Sequence, residues 1–217
     1  MALVAVIGID GSGKTTQCRL LADRLAANGI EAVCVRPAYF LIDSFSRLSR
    51  NKFRKNLSIS PRKLSTSSVG RSSNRNISNI IKKVCLLLLG ISYAILTCIY
   101  LKLFMSRNGV IICDRYFIQF LYDLLGRNAK IFLKLIPKAD LTFYIEGNVE
   151  ILISRMSQSF DRSVKREYYV DLNSFFKHVA YEYNFILISA DMKKEDISEI
   201  IYARVEKYLK EEAFYLE

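Results

Sequence analysis

The chain has 217 residues, a mass of 25.0 kDa, 51% apolar and 24% charged residues, which suits one globular α/β domain with its own core. Five scattered cysteines (Cys18, Cys34, Cys85, Cys98, Cys113) form no CxxC pair and accompany a single histidine, His178. Neither a zinc site nor a disulfide framework is therefore expected. The net charge of +11 is local: 13 of the 32 Lys and Arg lie between Asp43 and Asp114, where there is no acid, and the remainder holds 19 basic and 21 acidic residues. That placement argues against nucleic acid as a partner and for a local anionic one.

The N-terminus runs straight into Leu3-Val4-Ala5-Val6-Ile7, with no basic start and no small-residue cleavage site. This strand is expected in the mature fold, in a reducing cytoplasm that contains ATP. Short apolar runs rich in β-branched residues predict strands over about 2–8, 31–36, 109–114, 140–146 and 184–189. Their apolar character is continuous rather than alternating, as in a parallel sheet covered on both faces. A helix is expected from about Lys14 to Asn28, with Cys18, Leu20, Leu21 and Leu25 inward and Gly29 at its end. Another should run from about Glu195 to Glu211, with Ile197, Ile200, Ile201, Val205 and Leu209 inward. Strands alternating with helices give a doubly wound, five-stranded parallel sheet in one domain over 1–217.

The middle of the chain breaks this rhythm. Residues 51–79 hold eight serines from Ser58 to Ser78, many basic residues and little apolar periodicity, and read as a long loop. Val84–Leu101 follows, eighteen residues without a charge, long enough to cross a bilayer. A span there would put strands of one sheet on opposite sides of the membrane. Three readings stay open: a buried core helix, a dimer interface, or a helix lying on a membrane surface beside the basic loop, with contact through about 47–104.

Between the first strand and the first helix stands Gly8-Ile9-Asp10-Gly11-Ser12-Gly13-Lys14-Thr15, the full Gly-x4-Gly-Lys-Thr pattern of a phosphate-binding loop. Glycines let backbone N–H groups turn towards a phosphate, and the helix N-terminus adds its positive dipole end. Lys14 is expected on the transferred phosphate and Thr15 on Mg²⁺. The expected architecture is that of a P-loop NTPase.

With Thr16-Gln17 the loop resembles that of thymidylate kinases, which takes the form G-x-D-G-x-G-K-[ST]-T-Q. Other stretches agree in order: Arg36-Pro37 after the second strand, Asp114-Arg115-Tyr116 after the third, Asp140–Ile145 with the helix Glu150–Arg155, and Phe185–Ala190 with the last helix. The resemblance implies phosphoryl transfer from Mg·ATP to a small anionic acceptor, dTMP by default, and a homodimer through the central apolar segment. It further implies that Asp10, Arg36, Arg115 and Tyr116 hold the acceptor and that Asp114 joins Thr15 at the metal. A lid within about 155–168 would bring Arg155, Arg162, Lys165 or Arg166 over the ATP phosphates. Where the family reads thymine with an aromatic and an arginine, this chain has the apolar run with Tyr93 and Tyr100 and no arginine, and Gln119 stands near the place of an expected serine. The acceptor therefore stays open between a nucleoside monophosphate and another phosphorylated or lipid-linked molecule. A nucleotide-binding switch without turnover is the third reading.

Overall fold

A computed structural model describes residues 2–36, 109–156 and 166–214, with positions 84, 85, 87, 88, 90–92, 94–96, 98, 99 and 103 between them. The basic loop 51–79, Pro37, Tyr93, Tyr100, Arg162 and Lys165 lie outside the described residues. The chain divides into two compact units, one of residues 1–36, 100–116 and 138–217, the other of 37–99 and 117–137.

The first unit holds a five-stranded, all-parallel sheet: β1 (Ala2–Ile7), β2 (Ala32–Val35), β3 (Val110–Asp114), β4 (Leu141–Glu146) and β5 (Ile186–Ser189), in the order β2-β3-β1-β4-β5. All five expected strands are present, each shortened by a residue or two at its ends. Around them lie α1 (Lys14–Ala27) and the helices that follow β4. Every residue of β1 and β3 is buried, which is why these runs are apolar throughout rather than at alternate positions.

Register fixes which helix covers which face. Val6 stands opposite both Asp114 and Phe143, so those two side chains share a face, and Tyr144 points the other way. Thr15 of α1 bonds Asp114 on the first face, while the Tyr144 hydroxyl donates to Asn173 Oδ1 at 2.9 Å on the second. Asn173 belongs to the long helix Arg166–Glu182, so helices flank the sheet on both sides. On α1 the expected inward residues Cys18, Leu21 and Leu25 are buried, with Leu20 half-buried. On the last helix, Lys194–Phe214, the core is Ile197, Ile201, Tyr202 and Val205, while Ile200 and Leu209 are half-buried at its margin.

One carboxylate explains the acid before β4. Asp140 Oδ2 accepts from Leu3 N at 2.7 Å, and Asp140 N donates to Leu3 O at 2.8 Å. The pair locks the start of β4 to β1 one residue before ladder pairing begins at Val4 and Leu141.

In the second unit, Phe117–Leu125 forms α2, and Ala129–Phe132 a single turn, α3, between two 3₁₀ turns. The positions described between 84 and 99 are helical. Gly90, Ala94 and Cys98, four apart, are buried, and Val84, Leu88, Ile95 and Ile99 fall together on an exposed stripe. Among the described positions, small residues face inward and large apolar ones outward. After β4 come α4 (Val149–Ser154), α5 (Arg166–Glu182) and α6 (Lys194–Phe214). Among the described residues no helix is long and apolar enough to cross a membrane.

Candidate active site

The loop between β1 and α1 is shaped by what lies behind it. A Cβ on Gly11 would stand 2.2 Å from the carbonyl oxygen of Leu152 on α4, and the residue has φ +82°. A Cβ on Gly8 (φ +149°) would stand 2.7 Å from Ile145 O, at the end of β4. Only glycine fits either place. The loop is therefore pressed against β4 and α4, and its amides curl round the start of α1.

Lys14 is the first residue of α1 and is buried, 4% exposed. Its ammonium donates to Ile9 O at 2.6 Å, with Ser12 Oγ at 3.5 Å and Asp10 Oδ1 at 3.9 Å. Burial lowers its pKa to about 8; the neighbouring Asp10 opposes that shift and Arg115 adds to it. A buried ammonium short of solvation has a ready use for an anion that would restore it.

Asp10 is buried and pairs with Arg115 Nη2 at 2.8 Å. Arg115 follows β3 with φ +69°, a left-handed conformation rare for a bulky residue. Its N–H still reaches Val6 O at 3.2 Å, so the ladder continues while the side chain turns towards the phosphate loop. Arg115 Nε is buried and has no hydrogen-bond partner, which leaves part of a guanidinium fork for an anionic ligand. Tyr116, next in sequence, is buried.

On the other side of Lys14, Thr15 Oγ1 donates to Asp114 Oδ2 at 2.8 Å. Arg36 Nε donates to the same oxygen at 2.8 Å, and Arg36 Nη2 lies 3.2 Å from Thr15 Oγ1. Asp114 is 1% exposed, and its Oδ1 is buried without a partner. A hydroxyl and a carboxylate with an unused oxygen form a hard-oxygen donor set of the kind Mg²⁺ takes beside nucleotide phosphates. Arg36 half-exposes its guanidinium at the rim of that pair.

The structure thus brings Gly8–Thr16, Arg36, Asp114, Arg115 and Tyr116 to the carboxyl ends of β1, β2 and β3, where open α/β sheets bind ligands. Arg155 caps α4, its guanidinium bonded to Ala190 O at 3.0 Å and 3.8 Å from Asp191 in the loop after β5. Arg166 starts α5 and pairs with Glu150 on α4, outside the phosphate cradle. In the sequence Gln17 stands out only as part of the loop motif. It is buried, and its amide donates to Lys194 O at 2.9 Å, joining the loop's helix to the start of α6. A glutamine followed by an apolar cysteine inside a helix was the available sign of an inward polar side chain.

Compared with known proteins, the chain matches the family model described as thymidylate kinase over residues 6–40. No curated protein matches it. The matched stretch takes in the last two residues of β1, the phosphate loop, α1, β2 and Arg36, and supports a kinase-like, nucleotide-binding enzyme similar to thymidylate kinases.

Proposed function

We propose that the protein transfers a phosphoryl group from ATP to a nucleoside monophosphate, with dTMP to dTDP as the default reaction. The observation that carries this reading is the buried Lys14 set between two carboxylate–arginine pairs, Asp10–Arg115 and Asp114–Arg36, at the mouth of a phosphate loop. The glycine-rich turn and the amides of Lys14, Thr15 and Thr16 take the donor phosphates, with Ile9 and Ser12 shaping the turn. Lys14 stays on the group in flight and offsets charge that spreads over its oxygens. Thr15 and Asp114 would hold Mg²⁺, which neutralises the donor phosphates when bound. Arg115 and Arg36 grip the acceptor phosphate, Asp10 orients Arg115 and the acceptor's sugar hydroxyl, and Tyr116 lines that side. The acceptor is already an anion, so no general base is required, and catalysis rests on positioning and electrostatics.

Arg155 is assigned to the donor phosphates, with Arg162 completing the lid. Residues 37–107 are an acceptor-side insertion in a single kinase domain, and the protein acts in the cytoplasm. The test is ATP turnover over a panel of nucleoside monophosphates, run beside Lys14→Ala. Turnover with one acceptor and a loss of at least about a thousandfold in Lys14→Ala is expected. A variant that keeps most activity would mean that the loop is wrongly assigned. ATP binding with silence towards every acceptor would instead mark a nucleotide-binding switch.

A second reading draws on the exposed stripe Val84, Leu88, Ile95 and Ile99, beside a segment rich in Lys and Arg. An apolar face next to a basic cluster is the two-part signal of peripheral membrane binding. On this reading the acceptor is a phosphorylated or lipid-linked molecule at the membrane surface. A second copy of the chain on that stripe would give the homodimer instead.

A further inference from the structure

Arg36 stands one residue past the end of β2, at one edge of the sheet. Val35 lies opposite Cys113 in the ladder, so the next residues along, Arg36 and Asp114, come side by side. Arg36 Nε donates to Asp114 Oδ2 at 2.8 Å, and Nη2 donates to Thr15 Oγ1 at 3.2 Å. One guanidinium therefore spans the carboxylate and the hydroxyl whose oxygens suit Mg²⁺. Burial of this ion pair is lopsided: the Asp114 side chain is 2% exposed and that of Arg36 is 50% exposed. An ionised carboxylate so deep needs a cation beside it, and the arginine is the partner that can swing out into water.

A guanidinium and a divalent cation on the same two oxygens would repel each other, more strongly over a buried carboxylate than in water. Thr15 Oγ1 already gives its proton to Asp114 and a lone pair to Arg36. We propose that Arg36 is an exchangeable cation: it neutralises Asp114 and holds Thr15 in the protein alone, and gives up both when nucleotide binds with Mg²⁺. This rests on the reading of the protein as an ATP-dependent kinase. It adds that Arg36 competes with the metal before it serves the acceptor.

The exchange sets an order. While Arg36 is engaged with Asp114, the acceptor phosphate lacks one of its two arginines; once Arg36 lets go, its guanidinium can turn to that phosphate. By linkage, nucleotide with its metal then strengthens acceptor binding, and the acceptor strengthens the hold on the metal, so binding runs donor first.

Calorimetry tests this with Mg²⁺ titrated into the full-length protein saturated with a non-hydrolysable ATP analogue. Arg36→Met, which keeps the apolar stem and drops the charge, should bind Mg²⁺ about fivefold more tightly than wild type. A second measurement uses wild type alone and decides if the variant does not fold. Phenylglyoxal modifies guanidinium groups, and mass spectrometry of peptides follows Arg36. Labelling should be about fivefold faster with analogue and Mg²⁺ than with analogue in EDTA, because the guanidinium leaves its buried partner. Equal or weaker metal binding in Arg36→Met, or labelling that does not rise, would overturn the exchange while the analogue still binds. An analogue that binds wild type neither with nor without Mg²⁺ would overturn the kinase reading, and the exchange with it. Neither readout needs turnover.

Discussion

At the scale of single residues, the site is held by charges that face one another across short gaps. Lys14 carries the clearest consequence. Its pKa of about 8 lies below the usual lysine value, so in the protein alone it loses its proton as pH rises through 8. A phosphate binds the protonated form. Nucleotide affinity should therefore be nearly level below pH 7 and fall about tenfold by pH 9, with proton uptake on binding at the higher pH. Calorimetry in buffers of different ionisation enthalpy measures both; a flat profile from pH 7 to 9 would show that Lys14 does not meet the phosphate. The identity of these residues was legible in the sequence because the Gly-x4-Gly-Lys-Thr spacing permits little else. Their pairing was not. Nothing in Arg36 or Arg115 as letters says that each meets a carboxylate, Asp114 and Asp10, because those contacts depend on strand order and on the left-handed turn at Arg115.

At the scale of elements, the tightest junction is that between the phosphate loop and α4. The space behind Gly11 is filled by the backbone of Leu152, which cannot rotate out of the way as a side chain can. Gly11→Ala should destabilise the fold by about 2–4 kcal/mol, through backbone strain together with overpacking. Chemical denaturation checks this, and a change under about 0.5 kcal/mol would mean that loop and helix separate easily. The strands and the first and last helices were readable from apolar spacing. Helix α5 was harder. Its sequence, with Tyr168, Tyr169, Phe175 and Phe176 beside polar residues, has mixed propensity, and Arg166 at its start invited a reading as a lid cation. In the fold that arginine pairs with Glu150, an ion pair between neighbouring helices.

For the whole molecule, charge and hydropathy divide the chain more sharply than its elements do. The basic surplus and the exposed apolar stripe occur in the same stretch of sequence, and the remainder is nearly balanced. The membrane reading predicts that the protein floats with anionic vesicles at low salt, is released at high salt, and is weakened several-fold by Leu88→Asp with Ile95→Asp. Failure to float at low salt would remove that reading and leave the nucleoside monophosphate alone. Sheet order, by contrast, could not be read from apolar runs, since five apolar strands permit several orders. It is nonetheless what makes the site. β1 and β3 are neighbours although Ala2 pairs with Val110, so the phosphate loop meets Asp114 only after a loop of about a hundred residues has closed, an entropic cost borne before that pairing can stabilise anything. On the ribosome, β1 and α1 emerge long before β3. A nascent chain holds a phosphate loop without Asp114, the partner of Thr15, until more than half the protein has been made, and nucleotide could reward completion of that pair only from that moment onward.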